Sequence, residues 1–166
     1  MKRTPLLFLL FLGGFLFQVS IAALNVIPYF CPHFILLLTL ACGAFRGSVT
    51  AESFGFGWGL ALDTLGITTF GIQGLALCWA GYISGILSRW IDAEEAISQM
   101  AFALSGSIIY FVVLLFLEKV LGDVGRPVPI GSVFSISLVN TLVAPAVFSL
   151  TKRCATVPRH QLRGRL

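Results

Sequence analysis

Charge is what this chain has least of. Only 11% of its 166 residues are Asp, Glu, Lys or Arg, whereas a soluble domain carries about 25%. With 57% hydrophobic residues and a mean hydropathy of +0.95, most of its surface has to face something apolar. That excludes a free water-soluble domain and leaves lipid as the solvent. Acids and histidines are scarcest, at seven and two. No HExxH, no paired carboxylates and no Ser/His arrangement fall inside the apolar runs, which argues against an enzyme. Cys31, Cys42, Cys78 and Cys154 stand in separate segments without CxxC or His-rich spacing. Metal sites and redox pairs need clustered ligands, so neither metal nor cofactor is expected. Long polar stretches are missing too, which leaves one domain and no soluble catalytic module.

What is abundant is apolar runs divided by polar or Pro/Gly breaks. They predict an all-α integral membrane protein with about six transmembrane helices in one bundle. The spans fall near Pro5–Leu24, Pro32–Phe45, Ser53–Leu65, Gly71–Ser88, Ser98–Leu121 and Ile130–Leu150, with a basic tail over 151–166. Crossing a bilayer core takes about 20 helical residues, so the second and third spans are short and open to being broken or re-entrant. "MKR", an apolar run and "SIAA" also resemble a secretory signal. The run is long for one and Ile21 is a poor cleavage residue, which favours a retained helix.

Positive charge gives the orientation. Six spans put Lys2, Arg3, Arg46, Arg89, Lys152, Arg153, Arg159, Arg163 and Arg165 on one side and only Lys119 and Arg126 on the other. Both termini are therefore expected in the cytoplasm. The tail has five basic residues and no acid; anionic headgroups account for it, and no nucleic-acid partner is expected.

"GFGWGLALD", Gly55 to Asp63, spends glycines and an acid in an apolar region. Residues four apart share a helix face, so Gly55, Gly59 and Asp63 form one stripe, joined by Glu52. Ser53, Gly57 and Ala61 form another on nearly the opposite side. Small stripes allow close backbone approach in lipid, and two of them predict a third helix with neighbours on both sides, in the middle of the bundle. Gly74, Cys78, Gly81, Gly85 and Ser88 supply a matching stripe on the fourth. A phosphate loop would need a lysine and a helix start beside the glycines, and neither is present. Asp63 ends its helix, where an anion opposes the dipole. It is read as bonding loop amides around Thr64 to Phe70, with an ion-binding or transport role as the alternative. A proton relay needs more buried acids, and Glu118 is the only other acid well inside a span. His33, after Pro32, reads as interfacial.

Elsewhere, Asp92 with Glu95 has capping-box-like spacing, which makes Asp92 a candidate N-cap of the fifth helix. Glu94 and Glu95 also suit a helix start. Asn140 and Thr141 lie deep in the last apolar run before Pro145, and Asn140 reads as an interhelical hydrogen-bonding residue.

Phe54 to Gly85, "FGFGWGLALDTLGITTFGIQGLALCWAGYISG", resembles the signature region of the MreD family of bacterial rod-shape-determining membrane proteins. That pattern runs GF-xx-GL-xx-D, a short loop, then P-L-G-x-x-x-L. Gly55, Phe56, Gly59, Leu60 and Asp63 match its first part, and Gly71 and Leu75 its second. Thr69 and Phe70 stand where the family has proline and leucine. "PHFILLLTLACGAFRG" is similar to the family's second segment, with Pro32 in its usual place, and Asn140 fits its polar position in the last helix. The resemblance implies a non-enzymatic scaffold or regulator of the cell-elongation machinery in the inner membrane, supporting peptidoglycan synthesis and cell shape. Its implied partners are an MreC-type protein and, directly or indirectly, MreB, a SEDS-type glycan polymerase and a class B penicillin-binding protein. It also implies a fold similar to the substrate-binding subunits of energy-coupling-factor transporters. A small-molecule-binding transporter subunit is the alternative function.

Overall fold

The computed structural model describes residues 4–24, 31–65, 69–121 and 129–155, and among them every regular element is a helix. In chain order these are α1 (Thr4–Leu24), α2 (Phe34–Arg46), α3 (Ser48–Asp63), α4 (Ile72–Leu87), α5 (Ala96–Val120) and α6 (Ile130–Ala155). Three are long and apolar enough to cross a membrane, over Thr4–Ala23, Ala96–Val120 and Gly131–Cys154; α2 and α4 are apolar but shorter. Lys2, Arg3, Arg126, Arg159, Arg163 and Arg165 lie outside the described residues, as does Gly66–Thr68 of the loop between α3 and α4.

The centre of the bundle is α2, not α3 as the two small-residue stripes suggest. It packs against all five other helices, and every residue from Ile35 to Gly43 is buried. Its sequence "ILLLTLACG" is apolar or small on all sides, the mark of a helix enclosed by protein. At 1.5 Å per residue its 13 residues reach only about 20 Å. Of α3's two stripes only one is covered. Gly57 has nothing within 4 Å of where a Cβ would stand, and with exposed Ser53 it borders an open groove of about 430 Å³ beside Phe8 and Trp58.

The covered stripe forms the tightest seam. An ideal Cβ on Gly59 would stand 2.5 Å from Gly74 Cα, one on Gly55 2.8 Å from the Leu77 carbonyl oxygen, and one on Gly81 2.9 Å from the Ala51 carbonyl. One on Gly85 would overlap the Ser48 backbone. Each glycine costs about 1 kcal/mol of helix propensity, offset here by dispersion contacts between two backbones at close range. On its other side the pair rests on α2, where Gly43 meets Ser84 and Gly85. Leu40 of α2 fits against Gly106 of α5, Leu38 against Gly14 of α1, and the Ser84 hydroxyl donates to the Leu40 carbonyl at 2.6 Å.

Several boundaries differ from the sequence expectation. α3 starts at Ser48, five residues before Ser53, because Gly47 at φ +91° turns the chain between α2 and α3 in a single residue. Gly71 is not in α4 but precedes it as a left-handed cap, φ +100°. α6 runs through Pro145 and past Leu150 to Ala155. Asp92 does not cap α5: that helix starts after Glu95, and Asp92 instead accepts the Glu94 amide in the preceding turn. The capping role fails because two residues separate Asp92 from Glu95, the residue that holds the cap position.

Candidate functional site

α2 and α4 both begin at the same end of the bundle, the end at which α3 stops. A helix start leaves up to four N–H groups without intrahelical partners, and in an apolar environment each has to find an acceptor. Both starts are served by side chains from neighbouring helices.

Asp63 serves α4. Its Oδ2 accepts from the Gly71 amide at 3.0 Å and the Gly74 amide at 3.1 Å, while Oδ1 accepts from Gln73 at 3.1 Å. The residue is 4% exposed. The amides are therefore at the start of α4, not in the Thr64–Phe70 loop where sequence reading places them. The reason is electrostatic: the carboxylate sits unfavourably at the C-terminal end of its own helix but favourably at the N-terminal end of the antiparallel one beside it. The Gly59–Gly74 approach brings the two ends into bonding range, and the left-handed Gly71 turns its N–H toward the acid. Gly55, Gly59, Asp63, Gly71 and Gly74 thus act together, and the end of α3 and the start of α4 meet in one joint.

Three residues serve α2. The Asn140 side-chain oxygen accepts from the His33 amide at 2.8 Å, and Gln18 Oε1 from the Ile35 amide at 3.1 Å. His33 Nδ1 accepts from Leu36 N at 3.2 Å. Because Nδ1 is an acceptor here, the ring proton is on Nε2, which donates to the Tyr110 hydroxyl at 3.3 Å. Asn140 also donates from Nδ2 to Ser107 Oγ at 2.9 Å, entirely within the core. Asn140 therefore ties α6 to both α2 and α5, and Gln18 ties α1 to α2. Pro32 directly precedes the capping His33, a position where its missing N–H deprives the helix of nothing.

His33 is thus the cap of α2, because the neutral imidazole carries an acceptor nitrogen a helix start can use. Gln18, Ser107 and Tyr110 escaped sequence reading. Their one signal was polarity inside an apolar run, which names no partner.

Chemically the joint holds the helices and leaves little free. Both Asp63 oxygens are engaged, and the imidazole nitrogens are committed to Leu36 and Tyr110. Among the described residues no three His, Cys, Asp or Glu side chains are grouped to hold a metal ion, and the four cysteines are free thiols. No protein-family model, no curated protein and no solved structure matches the chain. At the opposite end of the bundle lie Arg46, Arg89 and an exposed Lys152–Glu94 ion pair at 3.3 Å, where Gln99 Nε2 also donates to the Ala93 carbonyl at 2.9 Å.

Proposed function

We propose that this chain is a non-enzymatic membrane scaffold of the MreD kind, resident in a bacterial inner membrane and supporting cell-wall elongation and rod shape. One observation carries the reading: the residues that give the resemblance, Gly55, Gly59, Asp63 and Gly71, form one rigid joint between α3 and α4. A signature spent on backbone approach and helix capping suits a chain whose work is to present a fixed surface. A transporter or enzyme would need some of those polar groups unoccupied.

In this reading all six helices pass through the bilayer, the three long ones on their own length and α2 to α4 packed between them, so that both termini are in the cytoplasm. Arg46, Arg89 and Lys152 then lie inside, and the Asp63 joint faces outward toward an MreC-type partner. MreB, a SEDS-type polymerase and a class B penicillin-binding protein would be reached directly or through that partner. The fold would be similar to that of the energy-coupling-factor substrate-binding subunits.

Two measurements test it. Reporter fusions at each terminus should both read cytoplasmic; an external C-terminus overturns the six-pass arrangement. Purification of the tagged chain in mild detergent should recover an MreC-type protein, and depletion should round rod-shaped cells. Recovery of an ATPase module with unchanged cell shape would replace this reading with the transporter-subunit one.

A further inference from the structure

The α3–α4 pair rests on α2 with one side, and among the described residues no helix covers the side that faces away from α2. There Phe56 of α3 is exposed, and Leu75, Trp79, Tyr82 and Ile86 of α4 are exposed in steps of four, three and four. That spacing makes one continuous seam of large side chains along a helix. Trp79 and Tyr82 stand in the middle of α4, 6.2 Å apart and edge to face. Indole and phenol groups ordinarily gather at membrane interfaces, where one end is wet; here both stand on an exposed face at mid-helix.

Beside this seam is Glu52. It lies one turn into α3, its backbone against Gly81, and is half-buried. Among the described residues nothing pairs with it by ion pair or hydrogen bond. A carboxylate next to an apolar face, without an internal cation, is complementary to a cation brought from outside.

We propose that this face receives a membrane-spanning helix of another protein, one carrying an arginine or lysine about one turn inside the end that lies beside Arg46 and Arg89. The seam supplies packing, Trp79 and Tyr82 supply polar contacts at mid-depth, and Glu52 selects the cation. A second copy of the chain fits poorly, because a two-fold axis through this face sets Glu52 against Glu52. An acyl chain would cover the seam and leave Glu52 and the Tyr82 hydroxyl unmatched. The inference rests on the membrane placement proposed above.

The test uses the full chain, carrying a fluorescent donor, in phosphatidylcholine–phosphatidylglycerol vesicles. The probe is a synthetic Leu/Ala helix of about 20 residues with an acceptor dye and either arginine or glutamine one turn from its end. Energy transfer should half-saturate at an arginine-peptide concentration lower by about tenfold than that of the glutamine peptide. Glu52→Gln should abolish the preference, Glu52→Asp should keep it, and Glu52→Arg should transfer it to a peptide bearing glutamate. Equal binding of both peptides to the unaltered chain overturns the proposal. So does energy transfer between copies of the chain that Tyr82→Ala removes, which would assign the face to a homodimer. Loss of the preference on adding phosphatidylethanolamine overturns it in favour of a lipid ammonium. A chain that fails to float with the vesicles refutes the membrane placement itself, a separate result.

Discussion

Replacing Asp63 separates its acceptor role from its charge. Asp63→Ala removes every acceptor for the Gly71, Gln73 and Gly74 amides, and the last of these bonds is fully buried. A hydrogen bond to a charged group contributes about 1.5–3 kcal/mol, and an amide left unpaired inside costs about 1–3 kcal/mol. The three share one acceptor and one helix end, so their losses overlap, and a total of about 3–5 kcal/mol is expected. Asp63→Asn can place its oxygen where Oδ2 stands and keep Gly71 and Gly74. Its NH2 then faces the Gln73 N–H, so one bond and the charge are lost, for about 1–2 kcal/mol. Reversible unfolding in mild detergent, followed by tryptophan fluorescence, gives both values. Variants that are equally destabilised, or both within about 0.5 kcal/mol of the parent, would refute the capping role. Partner recovery at matched membrane levels adds a second readout. A fixed-surface role predicts that Asn retains most of it and Ala loses it, whereas a transport role predicts that both fail because ion or proton binding needs the carboxylate.

Gly59→Leu should cost at least about 1–3 kcal/mol, because even its Cβ meets the Gly74 backbone, while Gly57→Ala, facing open space, should be within about 0.5 kcal/mol of neutral in the same unfolding assay. Asn140→Ala leaves the His33 amide and Ser107 hydroxyl without their partner and should cost about 2–3 kcal/mol; Ser107→Ala, which strands only one donor of Asn140, should cost less. Gln18→Leu removes the polar tie between α1 and α2, so α1 should become the first segment cut in limited proteolysis, with the α3–α4 seam still protected.

The glycine seam was legible because spacing by four is a local property that survives in one dimension. Gly55, Gly59 and Asp63 could be set on one face from numbers alone, and the matching Gly74, Gly81 and Gly85 found on the next helix. The same rule misled at Ser53, Gly57 and Ala61, since small residues permit close approach without requiring it. The centrality of α2 is written in "ILLLTLACG", apolar or small on every side, whereas the glycine stripes of α3 mark close approach without marking the centre. The caps were beyond reach for a different reason. Gln18 lies 17 residues from Ile35, and Asn140 lies 107 from His33, so no local pattern pairs them.

The unread part nonetheless obeys a physical rule. A helix that starts enclosed by other helices cannot hand its first amides to water. Their acceptors must then come from helices packed beside that start. Gln18 in α1, Asp63 in α3 and Asn140 in α6 are where they are because α2 and α4 start beside them. Polar residues on the neighbouring helices of such a bundle therefore report the level at which an enclosed helix begins. Moving Asn140 one turn along α6, by exchanging it with Ala144, should abolish the cap as completely as Asn140→Ala, although composition is unchanged. If the exchanged chain unfolds at the parent's detergent concentration, depth is not what fixes these residues, and the account of α2 fails with it.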